Sequence, residues 1–181
     1  MDKTLAWLWL ADAVGSGCQY ARELLDLYPD PAELYDILRV GTEAPPACLS
    51  AHALAQLRDT TPFDYEERLD HCLLSGIDIQ TPDEGTYPDR LRDLPDLPLV
   101  LYVTGSAACL NGGRYAGMVG TRRPSAYGRQ AAFDLSLAMA QAGVVLVSGM
   151  ADGLDSEAHR AAVQAGVPTV AFLGTAIDKT Y

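Results

Sequence analysis

Three short stretches in the C-terminal half of the chain combine glycine, hydroxyl and charged residues in patterns that suit anion chemistry. The first is Gly120-Thr121-Arg122-Arg123-Pro124-Ser125-Ala126-Tyr127-Gly128-Arg129. It lacks the G-x-G-x-x-G spacing of a dinucleotide fingerprint. It still sets glycine, hydroxyls and three arginines between an apolar run and a helical stretch. Free backbone N–H groups at a helix start, together with the helix dipole, attract an anion, and arginine adds bidentate hydrogen bonds to phosphate. No acid occurs from Leu97 until Asp134, so no carboxylate nearby in sequence opposes that anion. The competing reading is three merely solvated arginines; the pairing with a helix start favours anion binding.

The second stretch is Ser148-Gly149-Met150-Ala151-Asp152-Gly153-Leu154-Asp155-Ser156-Glu157-Ala158-His159. Asp155 suits a helix N-cap, and Glu157 complements the dipole of the first turn. Those carboxylates make this helix end a poor phosphate site, but Ser148 offers a hydroxyl and Gly149 a close backbone approach. His159 follows Asp155 by four residues, on the same helix face. A catalytic Asp–His pair needs a nucleophile beside it. None is evident, so a packed structural histidine is favoured and no catalytic residue is assigned. The third stretch, Gly174-Thr175-Ala176-Ile177-Asp178-Lys179-Thr180-Tyr181, offers Lys179 as a second cation on the same edge; a terminal residue can equally be disordered.

The elements that must hold these loops follow from periodicity. Residues 99–103 form a β run, and residues 116–119 and 144–147 are apolar runs closed by Gly120 and Ser148-Gly149. Residues 125–142 read as a helix with Ala131, Leu135, Ala138 and Ala142 on one face; residues 155–165 read as a second helix, and residues 168–173 as a further strand ending at Gly174. Short runs buried on both faces, alternating with helices, indicate a parallel sheet with right-handed crossovers. The fold class expected is α/β: a Rossmann-like parallel sheet with helices on both faces, incomplete, preceded by a small all-helical domain. In such sheets ligands bind beyond the carboxyl ends of the strands, where all three loops fall.

The front of the chain is helical in pattern. Leu5, Leu8, Trp9 and Ala13 share a face; Val14-Gly15-Ser16-Gly17 breaks that helix; a second spans residues 19–27. Pro31 starts a helix running to Val40, Ser50 caps one reaching Arg58, and another covers residues 64–74 and closes at Gly76. The division expected is a helical domain over residues 1–75, a connecting segment over 76–98 and the Rossmann-like domain from residue 99 to 181. Val14-Gly15-Ser16-Gly17 is similar to a helix-hairpin-helix turn, although Ser16 stands where that motif has an apolar residue; a plain tight turn is favoured.

Net charge is −11, which alone argues against a polyanion partner. Its distribution changes that. Residues 1–98 hold 19 acids and 7 bases, whereas residues 99–181 hold 5 acids and 6 bases, so the acidity belongs to the front. Cys18, Cys48, Cys72 and Cys109 form no C-x-x-C pair and lie apart from the three histidines. No zinc site or other metal is expected, and reduced thiols in a cytoplasmic protein are the simpler reading. No apolar run approaches the roughly 18 residues of a membrane span. Residues 5–11 imitate a secretion signal at its short limit, but Lys3 is offset by Asp2, and a helix with Trp7 and Leu10 facing a core is favoured.

Four motifs in order resemble the DNA-processing protein A (DprA/Smf) family. Tyr87-Pro88, Leu91 and Pro98-Leu99-Val100-Leu101-Tyr102 with Gly105 are similar to its entry into the Rossmann-like domain. Val119-Gly120-Thr121-Arg122 with Ser125, Tyr127 and Gly128 resembles its glycine–arginine loop. Ser148-Gly149-x-Ala151-x-Gly153-x-Asp155-x-x-Ala158-His159 resembles its most distinctive signature, and Gly174-x-x-Ile177-Asp178-x-x-Tyr181 its third loop. The resemblance implies a non-catalytic, cofactor-free protein of natural transformation and recombination. Such proteins bind and protect incoming single-stranded DNA, form homodimers and help load the RecA recombinase. The family's DNA-contacting arginine falls on Arg122, with Gly120 and Ser148-Gly149 lining the same pocket; Thr121, Ser125 and Gly128 belong to that loop and Lys179 to the third. Family members continue past this point with more strands and a further basic motif, so a truncated product or a domain completed by a partner is expected. Two other readings stay open. One is a Rossmann-like nucleotide or sugar-phosphate hydrolase, whose P-G-G-x-G-T-x-x-E loop has no match here. The other is an interaction module working through the acidic front.

Overall fold

The first helix, α1 (Lys3–Val14), starts where the Asp2 carboxylate accepts the Thr4 N–H at 2.8 Å and stops at Gly15, φ 74°. The computed structural model describes residues 2–15, 17–41 and 44–179; Ser16 of the glycine turn and Thr180 and Tyr181 of the third motif lie outside them. Then come α2 (Ala21–Leu27), α3 (Pro31–Val40), α4 (Ala51–Asp59), a 3₁₀ turn (Pro62–Tyr65) and α5 (Glu66–Leu74). Two start signals act as the sequence indicates: Pro31 takes the first helical position of α3, and Ser50 Oγ accepts the Ala53 N–H at 3.1 Å. The structure adds a cap at Asp30, which accepts the Ala32 N–H at 2.9 Å. α1 is buried all round, Leu5 to Leu10 without interruption, because α3, α4 and the 3₁₀ turn pack against it. Trp7 and Leu10 lie in this core, and Trp9 meets Tyr35 edge to face at 5.4 Å.

Residues 76–98 are not a bare linker. They carry β1 (Asp78–Gln80) and α6 (Asp89–Arg92), and β1 pairs antiparallel with β2 (Leu101–Val103), Ile79 opposite Tyr102. Tyr87 is fully buried and donates its hydroxyl to Pro98 O at 2.6 Å; burial pushes that phenol up to about 12. Lys3 reaches Asp83 at 2.7 Å. All of this belongs to a first compact unit, Met1–Gly105, and the second is Ser106–Tyr181. The β run at residues 99–103 thus takes its partner from residues 78–80, not from the parallel strands.

The second unit contains a 3₁₀ turn (Ala107–Leu110), β3 (Arg114–Gly117), α7 (Ala126–Gln141), β4 (Val144–Ser148), α8 (Leu154–Ala165) and β5 (Thr169–Ala171). The three strands are parallel in the order β3-β4-β5, with Ala116, Leu146 and Thr169 in register. α7 and α8 pack against each other and against β4, around a core of Ala140, Leu146, Ala158 and Ala162. In the described residues both crossover helices therefore cover the face to which Leu146 points. The buried side of α7 is Ala132, Ser136 and Ala140, not the Ala131–Leu135–Ala138–Ala142 face; Leu135 is exposed. Small side chains let α7 approach α8 closely, and that seam outweighs the larger leucine.

Candidate functional site

Parallel strands put every βα loop at one edge, and the second unit has three: residues 118–125 after β3, 149–153 after β4 and 172–179 after β5. Local hydrogen bonds shape the first loop. Thr121 Oγ1 accepts the Arg123 N–H at 3.1 Å. Ser125, extended at φ −66° and ψ 165°, caps α7 by accepting the Gly128 N–H at 3.1 Å. Among the described residues the N–H groups of Ala126 and Tyr127 in the first turn have no partner, as is usual for the first N–H groups of a helix.

The second loop clasps the first. Gly153 has φ 94° and ψ −125°, a conformation reserved for glycine, and a Cβ there would strike Thr121 O and lie 2.8 Å from Arg122 Cα. Leu154 donates its N–H to Thr121 O at 3.2 Å. From the other side, a Cβ on Gly120 would strike Leu154 Cδ1 and lie 2.9 Å from its Cβ. Two glycines thus let the backbone carrying Arg122 seat against the start of α8. Met150 is held at φ 60°, a left-handed conformation costly for a side-chain-bearing residue. Gly153, not Asp155, caps α8. Asp155 sits inside the first turn, buried, and reaches back to accept the Gly149 N–H at 3.1 Å. The Gly149 amide is therefore engaged, and this residue contributes its bare backbone: a Cβ on it would press on Asp155 Oδ2 at 3.0 Å. Ser148 is buried and donates its hydroxyl to Met118 O at 2.6 Å, tying the ends of β3 and β4 together beneath the loops.

Charge partners decide which cations remain for a ligand. Arg114, at the amino end of β3, donates to Ala142 O. Arg129 and Arg160 both face the buried carboxylate of Glu157, at 3.6 and 2.6 Å, so Arg129 leaves the loop's set of free cations. Arg122, Arg123 and Lys179 are exposed and, among the described residues, form no ion pair. All three stand on loops at the carboxyl ends of strands. Asp152 is exposed on the second loop and Asp178 adjoins Lys179, so the edge carries a small positive excess.

His159 pins α8 to β5. Its Nδ1 lies 2.9 Å from Thr169 Oγ1, and that hydroxyl donates to Leu146 O at 2.8 Å. The hydroxyl's one proton is committed, so Nδ1 carries the hydrogen between them. Burial holds the imidazole below its ordinary value, against an opposing pull from Asp155. The pattern is that of a packed structural histidine. Among the described residues no three acidic, histidine or cysteine side chains converge as metal ligands, and no helix is long and apolar enough to cross a membrane.

Periodicity reasoning passed over Tyr127, which is 83% exposed, and Val119 and Met150, which are also exposed. The buried series 132, 136, 140 of α7 extends back to 128, so helical spacing alone places Tyr127 outside it.

A parallel α/β sheet with glycine-clasped loops at its carboxyl edge defines a Rossmann-like domain. The chain belongs to the family described as DNA recombination-mediator protein A, which it matches over residues 78–181. It is 37% identical over 106 residues to the Bacillus subtilis DNA processing protein DprA, covering 59% of this chain and 36% of that protein. It is 32% identical over 191 residues to a Mycobacterium tuberculosis protein carrying the same DprA designation, covering 97% of this chain and 47% of that one. The chain therefore spans about a third to a half of the length of these relatives. The solved structure of Streptococcus pneumoniae DNA processing protein A superposes with a TM-score of 0.68 at 24% identity, covering all of this chain and 61% of that one; that likeness speaks to the fold.

Proposed function

We propose that this chain binds single-stranded DNA, without catalysis or cofactor, at the carboxyl edge of the β3-β4-β5 sheet. Arg122 is the central phosphate contact. Arg123 and Lys179 are further cations, Gly120, Thr121, Ser125 and Gly128 shape the loop, and Ser148 and Gly149 form its floor. The observation that carries this reading is the distribution of charge. Of six cations in the second unit, Arg129 and Arg160 are held by Glu157 and Arg114 by a backbone carbonyl; the other three, which have neither kind of partner among the described residues, all sit at this one edge. Cations that track a backbone bind any sequence and respond to salt. A non-catalytic role is supported by the engagement of His159, Asp155 and Ser148 in holding the fold. Family membership supports a cytoplasmic place in DNA recombination and transformation, with a homodimer delivering the strand to a RecA-type recombinase.

The direct test is titration of a labelled single-stranded oligonucleotide. Arg122→Ala is expected to weaken binding about tenfold or more, since a charged hydrogen bond contributes ~1.5–3 kcal/mol. Arg58→Ala, on α4 of the acidic first unit, is expected to leave it unchanged. Equal affinity of Arg122→Ala and the unmodified chain would overturn the assignment.

A further inference from the structure

The same edge that presents cations also presents apolar side chains. Six large apolar residues are exposed in the second unit among the described residues, and four of them, Val119, Tyr127, Met150 and Phe172, stand on the three loops or the first turn of α7. Val119 and Tyr127 are each 83% exposed. Met150 is 54% exposed and held at φ 60° on the loop that clasps Arg122. Leaving such groups in water costs free energy that folding does not recover. Tyr127 makes no side-chain hydrogen bond among the described residues, so its ring has no evident part in holding the fold. A phosphate-only ligand would need none of these residues. A duplex would not use them either, because its base faces are stacked away. A strand with unpaired bases offers phosphates at one spacing and bare π-faces beside them.

We infer that Tyr127 is a base-stacking residue, with Val119 and Met150 exposed on loops at the same edge, and that it selects strands with unpaired bases over bare phosphate backbone. This rests on the reading of the edge as a single-strand site and adds to it the feature that recognises the bases. Stacking on one aromatic ring is sequence-tolerant because every base has a π-face, and adjacent arginines add cation–π attraction.

The test compares two probes of equal length on the full chain, a base-bearing single-stranded oligonucleotide and one whose central nucleotides are abasic. The unmodified chain is expected to prefer the base-bearing strand about tenfold. Tyr127→Ala is expected to erase that preference while abasic binding stays the same, and Tyr127→Phe to keep it. Equal binding of the two probes by the unmodified chain would overturn the stacking role and leave the phosphate site standing, as would a Tyr127→Ala loss shared equally by both. Arg122→Ala separates the two claims: unchanged abasic binding in that variant would instead overturn the phosphate site on which the inference rests.

Discussion

Gly153→Ala is expected to destabilise the second unit and to lose single-stranded DNA binding, although residue 153 has no side chain that could touch DNA. The backbone there occupies φ 94°, ψ −125°, where a Cβ carries strain of ~1–3 kcal/mol. The added methyl also has nowhere to go, because Thr121 O and the Arg122 backbone already fill the space; overpacking of that kind costs a further ~1–3 kcal/mol. The chain can relieve both only by opening the clasp, which moves Arg122 off the start of α8 and breaks the Leu154 N–H bond to Thr121 O. A lowered denaturant midpoint together with weakened oligonucleotide binding is the expected pair of readouts. Gly174→Ala is the control, since that glycine has open space around it and an ordinary φ, and little change is expected. An unaltered midpoint and affinity for Gly153→Ala would mean that the two loops do not hold each other.

The second large effect comes from reversing charge without touching the fold. Arg122→Glu combined with Arg123→Glu replaces two exposed cations, without ion pairs among the described residues, by two anions at an edge whose other loops carry Asp152 and Asp178. Loss of two charged phosphate contacts amounts to ~3–6 kcal/mol, and like-charge repulsion adds to it, so affinity for a single strand is expected to fall at least about a hundredfold. Stability is expected to stay within about 0.5 kcal/mol, as for surface positions away from any packed feature. Binding that survives the double reversal would place the DNA contact elsewhere in the chain.

The difference between these two variants mirrors what is legible in sequence and what is not. The β3–α7–β4–α8–β5 order is legible because short continuous apolar runs alternate with helical ones and each break carries glycine. The helix starts at Pro31 and Ser50 are legible because their signals act within the first turn. Non-local choices are not. β1 is three residues long and reads Asp-Ile-Gln, too short to announce itself as the partner of β2. Asp155 has the chemistry of an N-cap, yet Gly153 takes that place because Thr121, 32 positions earlier, needs contact with a bare backbone. Arg129 belongs to an arginine-rich loop in sequence, but Glu157, on the next helix, claims it. Ser148 offers a hydroxyl to a ligand on paper and gives it to Met118 O in space. Arg122 is legible as the candidate cation because it stands on a strand-to-helix loop with no acid nearby in the chain, and among the described residues it forms no ion pair.

The salt dependence of single-strand affinity tests the phosphate site most directly. Each neutralised phosphate of a single strand lowers the slope of log K against log[salt] by ~0.7. Contact through Arg122, Arg123 and Lys179 gives an expected slope near about −2 for the unmodified chain. An affinity indifferent to salt would contradict a cationic site at the strand ends.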